Sequence, residues 1–138
     1  MTGLGNVPSE VMERLRKRES CRIGVVGASN NPRKFGNIIV RNLLGKGFSV
    51  VPIHPVEKQV EGLTCYASIL DVPGKLDIVD FVVPPAAALG VLEQMSGLPH
   101  DAVWFQDGSF DDAVLTRAAE LFPLVVSHAC IMVVTNFF

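Results

Sequence analysis

Residues 23–36 read Ile23-Gly24-Val25-Val26-Gly27-Ala28-Ser29-Asn30-Asn31-Pro32-Arg33-Lys34-Phe35-Gly36. An apolar, β-branched run enters a turn of small residues and leaves it at the start of a helical pattern. Phe35, Ile38, Ile39, Asn42 and Leu43 recur at helical spacing, and Gly47 follows as a left-handed cap. A strand, a tight turn and a helix in that order open a parallel β-α-β unit, and the rest of the chain repeats the alternation.

Working outward, short apolar runs predict strands at 22–27, 48–53, 78–83, 102–106 and 124–127. Helices are expected at 35–46, 85–95 and 111–121, with a short turn or helix near 67–70. Ile23-Gly24-Val25-Val26 and Ile78-Val79-Asp80-Phe81-Val82-Val83 are largely apolar on both faces, as strands are when helices cover both sides of a sheet. The expectation is a single α/β domain over 21–138, Rossmann-like and doubly wound, with a five-stranded, mostly parallel sheet and helices on both faces. Residues 1–20 form an N-terminal helical segment, in which Pro8 and Ser9 start a helix with Val11, Met12 and Leu15 on its apolar side.

Composition excludes several classes. The 138 residues are 49% hydrophobic and 19% charged, with a net charge of −2, which is too apolar and too balanced for sustained disorder or a general nucleic-acid binder. The longest apolar stretches, 81–92 and 124–135, fall short of the roughly 18 residues of a membrane span. Residues 1–20 show no secretory pattern, so a cytoplasmic or matrix location is expected. Cys21, Cys65 and Cys130 are widely spaced, with no C-x-x-C pair, and read as reduced thiols filling apolar space. Charge is uneven: the first 41 residues carry about +5 and the remainder about −7.

The turn at Gly27, Ala28, Ser29 and Asn30 suits an anion. Small residues leave backbone N–H groups uncovered, and the following helix presents its positive end to the same place. Ser29 and Asn30 add side-chain donors, while Arg33 and Lys34 supply positive charge just before the helix. A negative charge introduced at Gly27 or Ser29 is expected to abolish anion binding and spare the fold. The pattern is not G-x-G-x-x-G, because Gly36 comes too late for the third glycine, and it lacks the G-K-[ST] of a P-loop. An NAD site places a carboxylate after the second strand. Here Val51-Pro52-Ile53-His54-Pro55 has none, and Glu57 and Lys58 follow, which favours CoA or a phosphorylated dinucleotide. Val83-Pro84-Pro85 either forms an apolar lip for an adenine or pantetheine arm, or simply stops a strand and opens a helix.

No catalytic constellation stands out. His54 sits at a strand end facing the proposed site, where it either donates to phosphate or packs the turn, and His100 precedes Asp101 in a loop where exposure is expected. His128 and Cys130 follow the last strand without a third group to orient them. Gln106 and Asp107 end the fourth strand, where they either touch ligand or, for Asp107, cap the turn before the Asp111 helix. No His, Cys or carboxylate cluster has metal-site spacing.

Val25-Val26-Gly27-Ala28-Ser29 with Asn31-Pro32, Val51-Pro52-Ile53-His54-Pro55, the Val60-Glu61-Gly62 turn, Asp77-Ile78-Val79-Asp80 and Val103-Trp104-Phe105-Gln106-Asp107-Gly108 together resemble the small stand-alone CoA-binding proteins. These are similar to the N-terminal CoA-binding domain of the succinyl-CoA synthetase alpha subunit. His54 takes the place of an Asn in the family's Pro-Val-Asn-Pro, and Cys130-Ile131 matches the family's late Cys-Ile pair.

The resemblance implies that Gly27, Ala28, Ser29 and Asn30 bind the phosphates with support from Arg33 and Lys34. It puts Pro52 and Lys58 beside the adenosine 3′-phosphate, and Val83, Pro84 and Pro85 along the nucleotide or pantetheine. The synthetase does its chemistry with a second domain and a partner subunit, so binding of CoA or an acyl-CoA is implied and catalysis is not. The expected role is a binding, carrier or sensor protein, as a homo-oligomer or beside an acyl-CoA enzyme. The other readings are an NAD(P)-binding oxidoreductase or redox sensor, and an interaction module for a larger acyl-CoA enzyme.

Overall fold

The computed structural model describes residues 7–138; the first six residues of the expected N-terminal segment lie outside them. In chain order the elements are α1 (Ser9–Arg16), β1 (Arg22–Val26), α2 (Phe35–Gly45), β2 (Ser49–Ile53), the short strands β3 (Gln59–Val60) and β4 (Leu63–Thr64), β5 (Ile78–Phe81), α3 (Pro85–Met95), β6 (Ala102–Phe105), α4 (Asp112–Leu121), β7 (Leu124–Val126) and α5 (Ile131–Val134). Tight 3-10 turns at Arg18–Ser20, Ile69–Asp71 and Thr135–Phe137 join or extend them.

The main sheet runs β2-β1-β5-β6-β7, and every pairing in it is parallel. The chain winds outward from β1 to β2, then returns past β1 to β5 and continues outward through β6 and β7. Winding reverses at β1 and β5, so the helices after these two strands leave in opposite directions and open a crevice at their carboxyl ends. One face carries Val11 and Leu15 of α1, Ile39 and Leu43 of α2 and Ile131 of α5, packed on Val25, Ile78 and Trp104. The other carries Leu92 and Met95 of α3 and Val114 and Ala118 of α4, packed on Val79, Phe81 and Phe105. This is the expected doubly wound α/β fold, with strands within a residue or two of their predicted limits.

Local chemistry explains the ends. Gly47 takes φ +89° after α2, Pro85 opens α3 at its first turn, and the Asp111 carboxylate caps α4 by accepting from the Val114 N–H at 2.9 Å. Asp107 does not serve as that cap. Pro52 is tolerated inside β2 because β2 is an edge strand. Of the hairpin β3–β4 only the turn at Val60-Glu61-Gly62 was expected, not its two short strands: Glu61 (φ +49°) and Gly62 (φ +78°) form a two-residue turn with both centres left-handed.

Two expectations are corrected. His100 is only 7% exposed, and its Nδ1 accepts the Leu76 N–H at 2.9 Å, which satisfies a donor that no strand partner reaches. Phe35 is 65% exposed and does not join the inward face of α2, because the neighbouring Gly36 holds the contact with β1.

Burial first, then the Arg22 charge, holds the His100 imidazole below its ordinary value of 6.5, with Asp101 opposing. Below about pH 6.5 the unfolded chain therefore takes up a proton that the folded chain resists, and stability falls as pH drops until the folded pKa is passed. His100→Gln should flatten this slope in denaturant titrations at pH 7.5, 6.5 and 5.5. An unchanged slope would assign the acid sensitivity to other groups.

Candidate functional site

At the crevice, β1 gives way to Gly27, whose φ of +96° lies in the left-handed region. A Cβ on Gly27 would fall 2.4 Å from the Val82 carbonyl oxygen and 2.7 Å from Val83 Cγ1. Gly36, in the first turn of α2, presses on the turn from the other side: a Cβ there would fall 1.9 Å from the Gly27 carbonyl oxygen. The late glycine thus does the packing that the third glycine of the usual fingerprint does. Gly27→Asp consequently cannot spare the fold, whereas Ser29, half-buried at the rim, can change.

That contact gathers donors. Gly27 N–H bonds the Ile53 carbonyl at 3.1 Å. The backbone N–H groups of Ala28, Ser29, Asn30, Phe35 and Gly36 donate to no protein acceptor among the described residues. Ser29 Oγ accepts from Asn31 N–H and Asn31 Oδ1 accepts from Arg33 N–H, both at 3.0 Å, which rounds the loop into α2. Free N–H groups at a helix start make a site for an anion.

Two asparagines fasten the turn to the β3–β4 hairpin. Asn30 Nδ2 donates to Glu57 Oε2 at 2.5 Å and to the Gln59 carbonyl at 2.7 Å. Asn37, fully buried, donates to the Ser29 carbonyl at 2.8 Å and to Glu61 Oε2 at 3.0 Å, and its Oδ1 accepts from Arg41 at 2.6 Å. Asn37 went unnoticed in the sequence; its only signal was a polar residue on the same helix face as Val40. The Asn30 amide is thus committed to the hairpin, and its backbone N–H is what it offers the turn.

The crevice is a cleft of about 690 Å³. Of the residues expected from sequence, Gly27, Ser29, Lys34, His54, Val83 and Pro84 line it. Ala28 and Pro52 are buried beside it, Pro85 lies in the first turn of α3, and Arg33 and Lys58 are exposed beyond its walls. The sequence reading missed the far wall, made by Ala67 to Ile69 with Ala87, Val91 and Gln94. His54 Nδ1 accepts the Val56 and Glu57 N–H groups, both at 3.1 Å, so its proton sits on Nε2. An imidazole here holds the loop as an Asn side-chain oxygen does in an Asx turn.

Residues 21–136 match the model of the CoA binding domain family. The chain belongs to that family. It is 40% identical over 63 residues to the alpha subunit of an ADP-forming acetate–CoA ligase (II) of Pyrococcus furiosus, and the match takes in 45% of this chain but 14% of the subunit. It is 25% identical over 125 residues to the uncharacterized protein YneT of Bacillus subtilis, covering 91% of each. Among solved structures, a hypothetical protein of Pyrococcus horikoshii superimposes with a TM-score of 0.80 at 32% identity, covering 90% of this chain and 86% of that one. Among the described residues no helix is long and apolar enough to cross a membrane.

In this CoA-binding domain a second, inner cavity of about 150 Å³ adjoins the cleft and shares Phe35, Val82 and Asp107 with it. Gln106 and the half-buried Cys130 stand in its wall. The other two thiols are buried and less acidic: burial, with Asp77 nearby, pushes Cys21 up to about 12, and burial also raises Cys65. Behind Gln106 lies Asp80, fully buried in β5. Its Oδ1 accepts from Gln106 Nε2 at 2.7 Å, and its Oδ2 has no partner.

Burial pushes the Asp80 carboxyl well above its ordinary 3.8, against the smaller effect of the Gln106 bond. As pH rises past 3.8 the unfolded chain releases this proton while the folded chain keeps it, so stability falls by up to about 1.4 kcal/mol per pH unit until the folded pKa is reached. Asp80→Asn should therefore be more stable than the parent at pH 7, and the advantage should shrink towards pH 4. A constant difference across that range would mean that Asp80 is ionised in the fold.

Proposed function

We propose that the chain binds CoA or an acyl-CoA across the crevice and acts as a carrier or sensor of it. The observation that carries this reading is the set of unpartnered N–H groups at the Gly27–Gly36 joint, which lines a cleft of about 690 Å³, too large for a phosphate alone. The residues fit the group: Gly27 and Gly36 leave no side chain over the anion site, Lys34 adds charge, and Val83, Pro84 and Val91 offer an apolar wall to a base. When bound, CoA supplies a thiol or thioester; this chain binds, orients and shields it.

Several features favour binding over turnover. Ser127 Oγ and His128 Nδ1 are 2.9 Å apart, yet neither lines the cleft or the inner cavity. Nor does β2 end in a carboxylate for a nicotinamide dinucleotide: His54 stands there, with Nδ1 already accepting two backbone bonds. The ligase named above is far longer than this chain, so its reaction is not transferred here.

Thermal unfolding with CoA, acetyl-CoA, dephospho-CoA, NAD and NADPH in parallel tests the reading. A ligand specific to the folded state adds about 2.7 kcal/mol at a hundredfold excess over its Kd. We expect shifts with CoA and acetyl-CoA, and acetyl-CoA recovered intact after incubation. A shift confined to a nicotinamide cofactor would make the protein a redox binder, and no shift at all would leave a protein-interaction module.

Ser29→Asp should abolish CoA binding in calorimetry by setting a charge against the phosphates. Lys58→Ala should weaken CoA several-fold more than dephospho-CoA, since an exposed ammonium near a phosphate is worth about 1 kcal/mol. Equal losses for both ligands would remove Lys58 from the 3′-phosphate.

A further inference from the structure

The buried acid at Asp80 calls for an explanation. Its β-sheet neighbours in register are Val25 and Trp104, both fully buried, so an apolar side chain would pack there without cost. Instead a carboxyl with one unpartnered oxygen sits in the core, and its single bond goes to Gln106. Buried polar groups left half satisfied are costly, and the cost here fixes one thing, the orientation of an amide.

Gln106 is 7% exposed and held at two points. Nε2 donates to Asp80, and Oε1 accepts the Ile131 N–H at 3.4 Å, so the amide cannot turn over without losing both bonds. The second hydrogen on Nε2 is left over in a wall otherwise made by Phe35, Ile39, Val82, Asp107, Cys130 and Met132. A mainly apolar chamber with one oriented donor suits a short apolar group that carries one acceptor, as an acyl carbonyl does.

Its position fits as well. The main cleft reaches Ile69 and Val91, on the α3 side of the sheet, while Ile39 and Met132 place the inner cavity on the α2 and α5 side. The two meet at Phe35 and Val82, next to the anion turn. A ligand with a charged middle and two unlike ends spans both.

We propose that the inner cavity seats the acyl end of a CoA thioester, that Gln106 donates to its carbonyl, that Asp80 is the positioning residue for Gln106, and that the cavity selects short acyl groups. This rests on the CoA reading above. At about 30 Å³ for each water-sized group, 150 Å³ holds about five non-hydrogen atoms, which is the carbonyl of an acyl group of two to four carbons with its tail.

The experiment measures affinities of CoA, acetyl-CoA, butanoyl-CoA and decanoyl-CoA for the parent chain, Gln106→Leu, Asp80→Leu and Asp80→Asn. The parent should bind acetyl- and butanoyl-CoA at least as tightly as CoA, and decanoyl-CoA at least about tenfold more weakly. Gln106→Leu and Asp80→Leu should each lose up to about tenfold more affinity for acetyl-CoA than for CoA, the worth of one hydrogen bond. Asp80→Asn keeps an acceptor for Gln106 and should restore the parental preference, which a merely structural Asp80 would not predict.

A second measurement needs no variant. Iodoacetamide should label Cys130 ahead of the other two thiols, acetyl-CoA should slow that labelling severalfold, and adenosine 3′,5′-bisphosphate, which lacks the arm, should not. CoA binding with equal affinity for all acyl lengths, or labelling of Cys130 unaffected by bound acetyl-CoA, overturns the inference and leaves the CoA reading standing. Failure of every CoA form to bind overturns both.

Discussion

The contact of Gly36 on the Gly27 carbonyl is what the rest of the site depends on. It lets α2 begin against the end of β1, so the unpartnered N–H groups of two separate segments lie next to each other. Any side chain at Gly36 would push the helix start away by more than an ångström, and the donors of Phe35 and Gly36 would part from those of Ala28 to Asn30. At Gly27 the demand is double, since a positive φ and the closeness of Val82 each exclude a side chain. The anion site is therefore a product of backbone packing, and the charged side chains around it tune what the backbone has already built.

The turn still needs holding, because a loop of small polar residues has little apolar burial to order it. Asn37 and Asn30 do this through bonds to the hairpin, with Asn37 entirely out of water. Glu61 sits at a left-handed position that favours Gly or Asn, yet it places a carboxylate on the Asn37 amide. Local strain at Glu61 and order at Ser29 are in this way the two ends of one network.

Periodicity made the frame legible. The strand and helix limits followed from apolar runs, Gly47, Pro85 and the residues around Asp111, because each of those signals acts locally. What escaped was set by contacts between distant segments. The hairpin strands have two residues each, too short for alternation to register, and α5 has four. His100 looked like a loop residue because nothing beside it in sequence shows that Leu76, across the fold, needs an acceptor. Gly36 was set aside on spacing, although the requirement it meets is one of distance in space. The phosphate turn was visible, while the walls at Ala67 to Ile69 and at Gln94 depended on how the sheet is ordered.

Sheet order also explains why a buried acid can act on a surface cavity. Asp80 and Gln106 belong to adjacent strand ends, Gln106 N–H bonds the Phe81 carbonyl, and their side chains meet on the α2 and α5 face. An apolar pair at these positions would pack at least as well and avoid the cost of burying a proton or a charge. It would also leave nothing to aim a donor into the chamber beside Cys130. Core packing alone accounts for Val25, Ile78 and Trp104 around Asp80; it does not account for Asp80. The position makes sense as a fixed point behind a binding surface, where stability is given up to hold one amide hydrogen in place.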